Sequence, residues 1–182
     1  SATTAFIFQN PTASPLVVPV RLRATDNLGT ITISNALNIT VGANVLPIAT
    51  ITGPAASAQF AVGATVPFTG TGTDADGTIK TFNWNFGDGA TGNINLVPPT
   101  TPAATPSNFT YTTAGDKLIT LTVIDNTTGI ATATRTIYIN GNPTAVIVAP
   151  GNATVNVPVA FSGATSFGSN SLRNIVSYEW DW

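Results

Sequence analysis

Most of the chemistry this sequence can offer is carboxylate chemistry. Asp74-Ala75-Asp76-Gly77 sets two acids two residues apart in a tight, Gly-containing loop. Such a pair can aim its oxygens at one point, as Ca²⁺ with its six to eight oxygen ligands requires. The same composition also builds a turn held by Asx hydrogen bonds, and the full EF-hand loop pattern is absent. Asp88 stands between Gly87 and Gly89; it is of a type that can act as a catalytic acid, but its setting is that of a turn cap. Asp26 and Asp125 each end an alternating run before a turn, where Asx hydrogen bonding is reason enough for them. No residue is assigned a catalytic role. The chain has no His, which removes the common Ser–His and zinc arrangements. It has no Cys either, so it has no disulfide framework and no thiol chemistry. Its eight acids do not suggest the opposed pair in a cleft that glycoside hydrolysis needs. The chain is therefore expected not to be an enzyme. Four Asn-X-Ser/Thr triplets, at Asn38, Asn108, Asn126 and Asn152, are glycosylation candidates. In so Asn- and Thr-rich a chain, chance also supplies such triplets.

The elements that must carry these groups are strands. In residues 118–123, Ile119, Leu121 and Val123 alternate with Leu118, Thr120 and Thr122, a period of two and not 3.6. Val20, Leu22 and Ala24 take the equivalent face earlier in the chain, with Arg21 and Arg23 opposite and so facing water. Further strands are expected at 31–41, 45–52, 64–70, 78–86, 130–139, 144–149, 157–162 and 174–182, all rich in Val, Ile, Thr and aromatics. Gly53-Pro54, Asp76-Gly77, Asp88-Gly89, Ala114-Gly115, Asn126 to Gly129 and Pro150-Gly151 separate them as turns. No stretch shows a sustained helical stripe. Many short strands at this spacing predict an all-β, two-sheet sandwich. Trp84 is the expected central core residue, packed beside Phe68, Ile79 and Leu121.

The sequence also repeats. Asp26 matches Asp125 at an offset of 99, "PIATITGP" at 47–54 matches "PTAVIVAP" at 143–150 at 96, "VPFTG" at 66–70 matches "VAFSG" at 159–163 at 93, and Trp84 matches Trp180 at 96. A repeat of roughly 95 residues is one sandwich-sized domain. Residues 1–43 correspond to the C-terminal half of a repeat, 44–140 to a complete one, and 141–182 to the N-terminal half of a following one. Two readings stay open. The chain is an excerpt of a longer tandem array, or residues 141–182 of one subunit are completed by residues 1–43 of the next, a filament by strand complementation.

"GTDADGTIKTFNWNFGDGATG" (72–92) resembles the signature of the PKD (polycystic kidney disease) family, with Trp84-Asn85-Phe86-Gly87-Asp88-Gly89 close to the family's W-D-F-G-D-G and Asn85 in place of the usual acid. "FTYTTAGDKLITLTVIDNTTG" (109–129) resembles its second motif. The resemblance covers 44–140 fully and the flanks in part. In the last copy "YEWDW" has Trp182 where Phe86 stands, and in the first "FIF" (6–8) stands where "FTY" does. The resemblance implies tandem immunoglobulin-like sandwiches with Trp84, Phe86, Phe68, Leu121 and Trp180 in their cores. It also implies a candidate Ca²⁺ site of Asp74, Asp76 and, as a further contributor, Asp125. The last copy has no carboxylate in the matching "TSFGSNSLRN" (165–174), and its span from Gly163 to Trp180 is 17 positions against 14 from Gly70 to Trp84. Calcium is therefore not common to all copies, and no cofactor is required. The Pro- and Thr-rich segment between Gly89 and Phe109 reads as an extended surface loop.

Only 8% of residues are charged, the net charge is −2 and there are six basic residues. That argues against a nucleic-acid footprint and against binding an anionic membrane surface. Apolar runs such as Pro15 to Val20 are far shorter than the roughly 18 residues of a membrane span. No signal peptide opens the chain, as expected of a mature or trimmed product. Two functional classes fit an extracellular or cell-surface setting. One is a structural or adhesion module of a surface or filament protein, with copies of itself or other surface proteins as partners. The other is an accessory module of a secreted hydrolase that binds polysaccharide or protein through exposed aromatics, for which Tyr138 and Tyr111 are the candidates.

Overall fold

The computed structural model of the chain describes residues 3–89, 94–96 and 107–181. Twelve strands and no helix occur among them: β1 (Leu16–Val20), β2 (Arg23–Thr25), β3 (Ile31–Ile33), β4 (Leu37–Val41), β5 (Ile48–Gly53), β6 (Gln59–Ala61), β7 (Thr65–Thr73), β8 (Ile79–Asn85), β9 (Ile94–Leu96), β10 (Ser107–Thr110), β11 (Gly115–Asp125) and β12 (Ile130–Asn140). The fold is all-β and immunoglobulin-like. Residues 44–140 form a sandwich of a three-stranded sheet, ordered β10–β7–β5, and a five-stranded sheet, ordered β6–β12–β11–β8–β9. All pairs within it are antiparallel except β12–β6.

Alternation decides which side chains meet between the sheets. Along β11, Ile119, Leu121 and Val123 are fully buried, joined by Phe82 and Trp84 from β8 and by Val66 and Phe68 from β7. Leu121 lies opposite Trp84 in the β11–β8 register. The Trp84 indole packs 5.8 Å from the Phe68 ring and stacks 6.1 Å from Phe86. Phe86, Phe109 and Tyr111 continue the aromatic file at 4.7 and 4.8 Å. Such offset and edge contacts add to the area each ring removes from water. The indole needs room from the opposite sheet, and β7 supplies it with Gly70, where a Cβ would stand 3.0 Å from Trp84 and 2.5 Å from Leu121. The sheets are also tied by Arg135 of β12, whose guanidinium donates to the carbonyls of Ile51, at 2.6 Å, and Pro54.

The flanks form strand pairs without a sandwich. β2–β3 repeats the register of β11–β12 at the 99-residue offset: Thr25↔Ile31 matches Ile124↔Ile130, and Arg23↔Ile33 matches Thr122↔Thr132. β1 pairs with β4 from Leu16↔Val41 to Val20↔Leu37. The single strand expected over 31–41 is interrupted between β3 and β4, and Val20 and Leu22 face water. Beyond Gly141, the strands expected at 144–149, 157–162 and 174–182 do not form among the described residues, which end at 181. Only the bridges Thr144↔Phe167 and Val148↔Ser162 occur there. Trp180 is 37% exposed, against 1% for Trp84, which corrects its placement in a core. Its ring meets Phe161 at 6.1 Å, but no hairpin equivalent to β11–β12 covers it. The Pro- and Thr-rich segment is mostly outside the described residues; within it, Ile94–Leu96 pairs with β8 and Ser107 opens β10, so these parts are strand rather than loop.

Candidate functional site

The three acids singled out for calcium lie at one end of the sandwich, but they have separate environments. Asp125 ends β11 and is fully buried. Its Oδ1 accepts from Thr127 N (2.7 Å), Thr127 Oγ1 (2.9 Å) and Gly129 N (2.8 Å), and its Oδ2 from Asn44 Nδ2 (3.1 Å). Burial pushes its carboxyl up, but the Asn44 amide and the Gly129 and Thr127 donors outweigh it and hold it below the usual carboxylate range. Asp125 is thus the acceptor around which the Asn126–Gly129 turn is wound. Asp26 builds the same turn between β2 and β3, accepting from Leu28 N (2.9 Å) and Thr30 N (2.8 Å). There the Thr30 and Leu28 N–H groups lower the carboxyl in open solvent.

Asp76 accepts from Val45 N at 3.1 Å. Asp74 is the unusual member, because neither of its buried oxygens finds a donor among the described residues. Burial raises its carboxyl, with the negative charges of Asp76 and Asp125 adding to the effect and the Asp76 N–H opposing it. Asp74 Oδ2 and Asn126 Oδ1 both lie over Gly77, where a Cβ would collide with each. Asn126 Oδ1 in turn accepts from Thr78 N at 2.8 Å.

Among the described residues no group of three or more His, Cys, Asp or Glu side chains could hold a metal ion. Asp125 is occupied by the N–H and O–H donors of its own turn and by Asn44, whereas Asp74 has no donor among the described residues. Asn85 stands just before the Gly87-Asp88-Gly89 turn. Asn85 caps it, its Oδ1 accepting from Gly87 N at 2.9 Å, while Asp88 Oδ1 finds no donor among the described residues. Gly87 is at φ 71° and its Cα lies against the Leu118 backbone, so no side chain fits there.

Tyr111, expected at the surface, is buried, and its hydroxyl donates to Phe86 O at 2.8 Å. It stands beneath the Lys117 ammonium, 5.6 Å away. Lys117 points into the sandwich and is satisfied there by Thr113 Oγ1 at 3.1 Å. Tyr138 is half-buried on β12. Asn38, Asn108, Asn126 and Asn152 are all exposed. Two polar residues that sequence reading missed act structurally. One is Arg135, described above. The other is Asn10, buried, which donates to Ser14 O (2.8 Å) and Gly42 O (2.7 Å) and accepts from Thr12 N. Crevices of about 310, 400 and 460 Å³ open on the surface. The largest is lined by Phe8, Asn10, Asn44, Asp76 and Thr127, and none of the three brings two carboxylates together.

A profile described as "PKD domain" matches residues 44–141, just over half of the chain. Solved structures similar to the chain include the PKD1 domain of Vibrio anguillarum Epp, at 25% identity and TM-score 0.40, covering 53% of this chain and 95% of that one. The PKD1 domain of the Vibrio cholerae metalloprotease PrtV is similar at 24% identity and TM-score 0.39, covering 53% and 100%. The fibronectin(III)-like modules of Clostridium thermocellum CbhA match at 17% identity and TM-score 0.45, covering 65% and 60%.

Proposed function

The chain belongs to the PKD domain family, and from that premise we propose that it is a non-catalytic, extracellular structural module whose flanks belong to neighbouring repeats in a surface or filament protein. One comparison carries the repeat reading. Side chains at matched positions are buried in residues 44–140 and exposed in the flanks: Phe82 at 0% against Tyr178 at 53%, and Leu121 at 0% against Leu22 at 71%. Residues 16–41 carry the hairpin half of the fold, down to the Asp-centred turn, and residues 143–181 carry the half that such a hairpin covers. The lack of His and Cys in the sequence supports the non-catalytic reading. The sparse charge supports packing between neighbours, because weakly repelling surfaces tolerate close approach.

The test supplies the missing half. A polypeptide extended beyond Trp182 by a copy of residues 87–140 should bury Trp180, and its emission should shift to the blue and resist quenching as Trp84 does. Continued quenching of Trp180 by iodide would overturn the repeat assignment. Retention on chitin, cellulose or collagen, lost in Tyr138→Ala, would instead favour an accessory binding module.

A further inference from the structure

The joint after the PKD domain is crossed by a loop that is longer in the last copy than in the domain itself. The three additional positions between Gly163 and Trp180 fall in the stretch containing residues 168–173, which reaches back to the β11–β12 hairpin. Ser169 Oγ accepts from Gly141 N at 3.0 Å. Asn170 Nδ2 donates to Ile139 O at 3.2 Å and to Asn140 Oδ1 at 2.7 Å. Ser171 N donates to Asp116 Oδ1 at 2.9 Å, and Arg173 Nε to Asn140 Oδ1 at 3.2 Å. The loop holds its own shape meanwhile, with Leu172 N donating to Asn170 Oδ1 at 3.1 Å and Arg173 N to Asn170 O at 3.1 Å. Asn140 is fixed from the domain side by Gln59 Oε1, which accepts its amide at 3.2 Å. Gly141 passes so close to Ala114 that a Cβ there would sit 2.8 Å from the alanine methyl.

The equivalent loop of the domain, residues 74–77, makes the matched bond within its own repeat, since Val45 corresponds to Gly141 at the offset of 96. It turns onto its own chain through Asp76 and Val45, and the 460 Å³ crevice lies between it and Phe8, Asn10 and Val41 upstream. A connection between domains is mobile by default unless its interface constrains it. Four hydrogen bonds from one short loop, to Asp116 of β11 and to Ile139 and Asn140 of β12, constrain tilt and rotation together.

We propose that residues 168–173 are an inter-repeat clasp, which locks the segment after Gly141 in one orientation on the Asp116–Asn140 end of the PKD domain. This rests on the reading of 141–181 as the start of a following repeat. The chain has no Cys, so spin labels at Thr132→Cys and Asn152→Cys, both exposed sites, report the joint in the full chain by pulsed dipolar spectroscopy. The intact chain should give one narrow distance peak. Asp116→Ala with Asn170→Ala should at least double its width, whereas Asp116→Asn, which keeps the Oδ1 acceptor, should leave it narrow. The domain's own unfolding, followed at Trp84, should be the same in all three. A broad peak in the intact chain, or an unchanged one in the double variant, overturns the clasp. If the appended hairpin still buries Trp180 in that case, the repeat reading stands without it; if both experiments fail, the reading beneath the clasp fails too.

Discussion

Asp125→Ala tests whether the Asp-centred turn draws its worth from burial or from its bond pattern. The truncation removes the acceptor of Thr127 N, Thr127 Oγ1, Gly129 N and Asn44 Nδ2. Thr127 Oγ1 keeps Asn44 Oδ1 at 2.5 Å, and Asn44 lies near the surface. That leaves the Thr127 and Gly129 amides without an acceptor, and Gly129 is buried. At about 1–3 kcal/mol for each stranded donor, the domain should lose about 3 kcal/mol. For a domain of this size that is a fall in Tm of about 15 °C. Asp125→Asn keeps one oxygen for the Thr127 and Gly129 amides and sets its NH₂ against that of Asn44, so about 1 kcal/mol should be lost. Asp26→Ala removes bonds of the same kind and length, but water replaces them, and unfolding of the domain should not change. The assay is urea unfolding followed at Trp84 in a Trp180→Phe, Trp182→Phe background. The pH dependence follows from sign. Asp125's folded value lies below that of the unfolded chain, so its contribution is complete above about pH 3.9 and is lost as pH falls through the lower folded value. A loss under about 1 kcal/mol for Asp125→Ala would refute the argument that stranded donors set the cost.

Asp74 should behave in the opposite way. Its folded value is raised, so its charge opposes folding at neutral pH, and Asp74→Asn should raise the urea midpoint at pH 7, with the gain vanishing in acid. Melting curves in millimolar Ca²⁺ and in chelator should agree within about 1 °C; a difference of several degrees would show a bound ion stabilising the fold. Tyr111→Phe removes a buried donor and strands Phe86 O, so chemical denaturation should show a loss of about 1–2 kcal/mol. Trp84→Ala empties the centre of the aromatic file and should cost about 3–5 kcal/mol by the same measurement.

Local patterns were legible in the sequence to the extent that local physics decides them. The alternation of 118–123 names the buried face of β11 because side chains on a strand reverse direction at every residue. The Asp-initiated turns at 26 and 125 were legible for a related reason: an Asx carboxylate reaches its own backbone two and four residues on, whatever surrounds it. Lys117 was not legible. It occupies an inward position of the alternation, and only the fold brings the Tyr111 ring and Thr113 to its ammonium. Arg135 was missed likewise, since its acceptors, Ile51 O and Pro54 O, are more than 80 residues away in sequence. The sequence sets Asp74 beside Asp76 but does not show what their lone pairs, or those of Asp125, accept.

The flanks separate pattern from burial within one molecule. Trp84 and Trp180 sit in nearly the same sequence, and Leu121 and Leu22 occupy the same place before the same turn. Strand pairing in β2–β3 follows the register of β11–β12, so the hairpin needs no sandwich to choose its partners. Burial differs because it needs a second layer. Tyr178 and Trp180 lack a hairpin over them, just as Leu22 lacks a sheet beneath it. A hairpin held only by its own ladder is marginal in water, and three or more strands with a packed apolar face are needed for independent stability. In this chain the turn and ladder therefore form without a second layer, while the core needs one. It follows that denaturant should dissolve β2–β3 at lower concentration than β11–β12, although the two hairpins share their turn. Hydrogen exchange at Ala24 and Val123, matched positions in the two registers, can read that order directly, and equal protection at the two would contradict it.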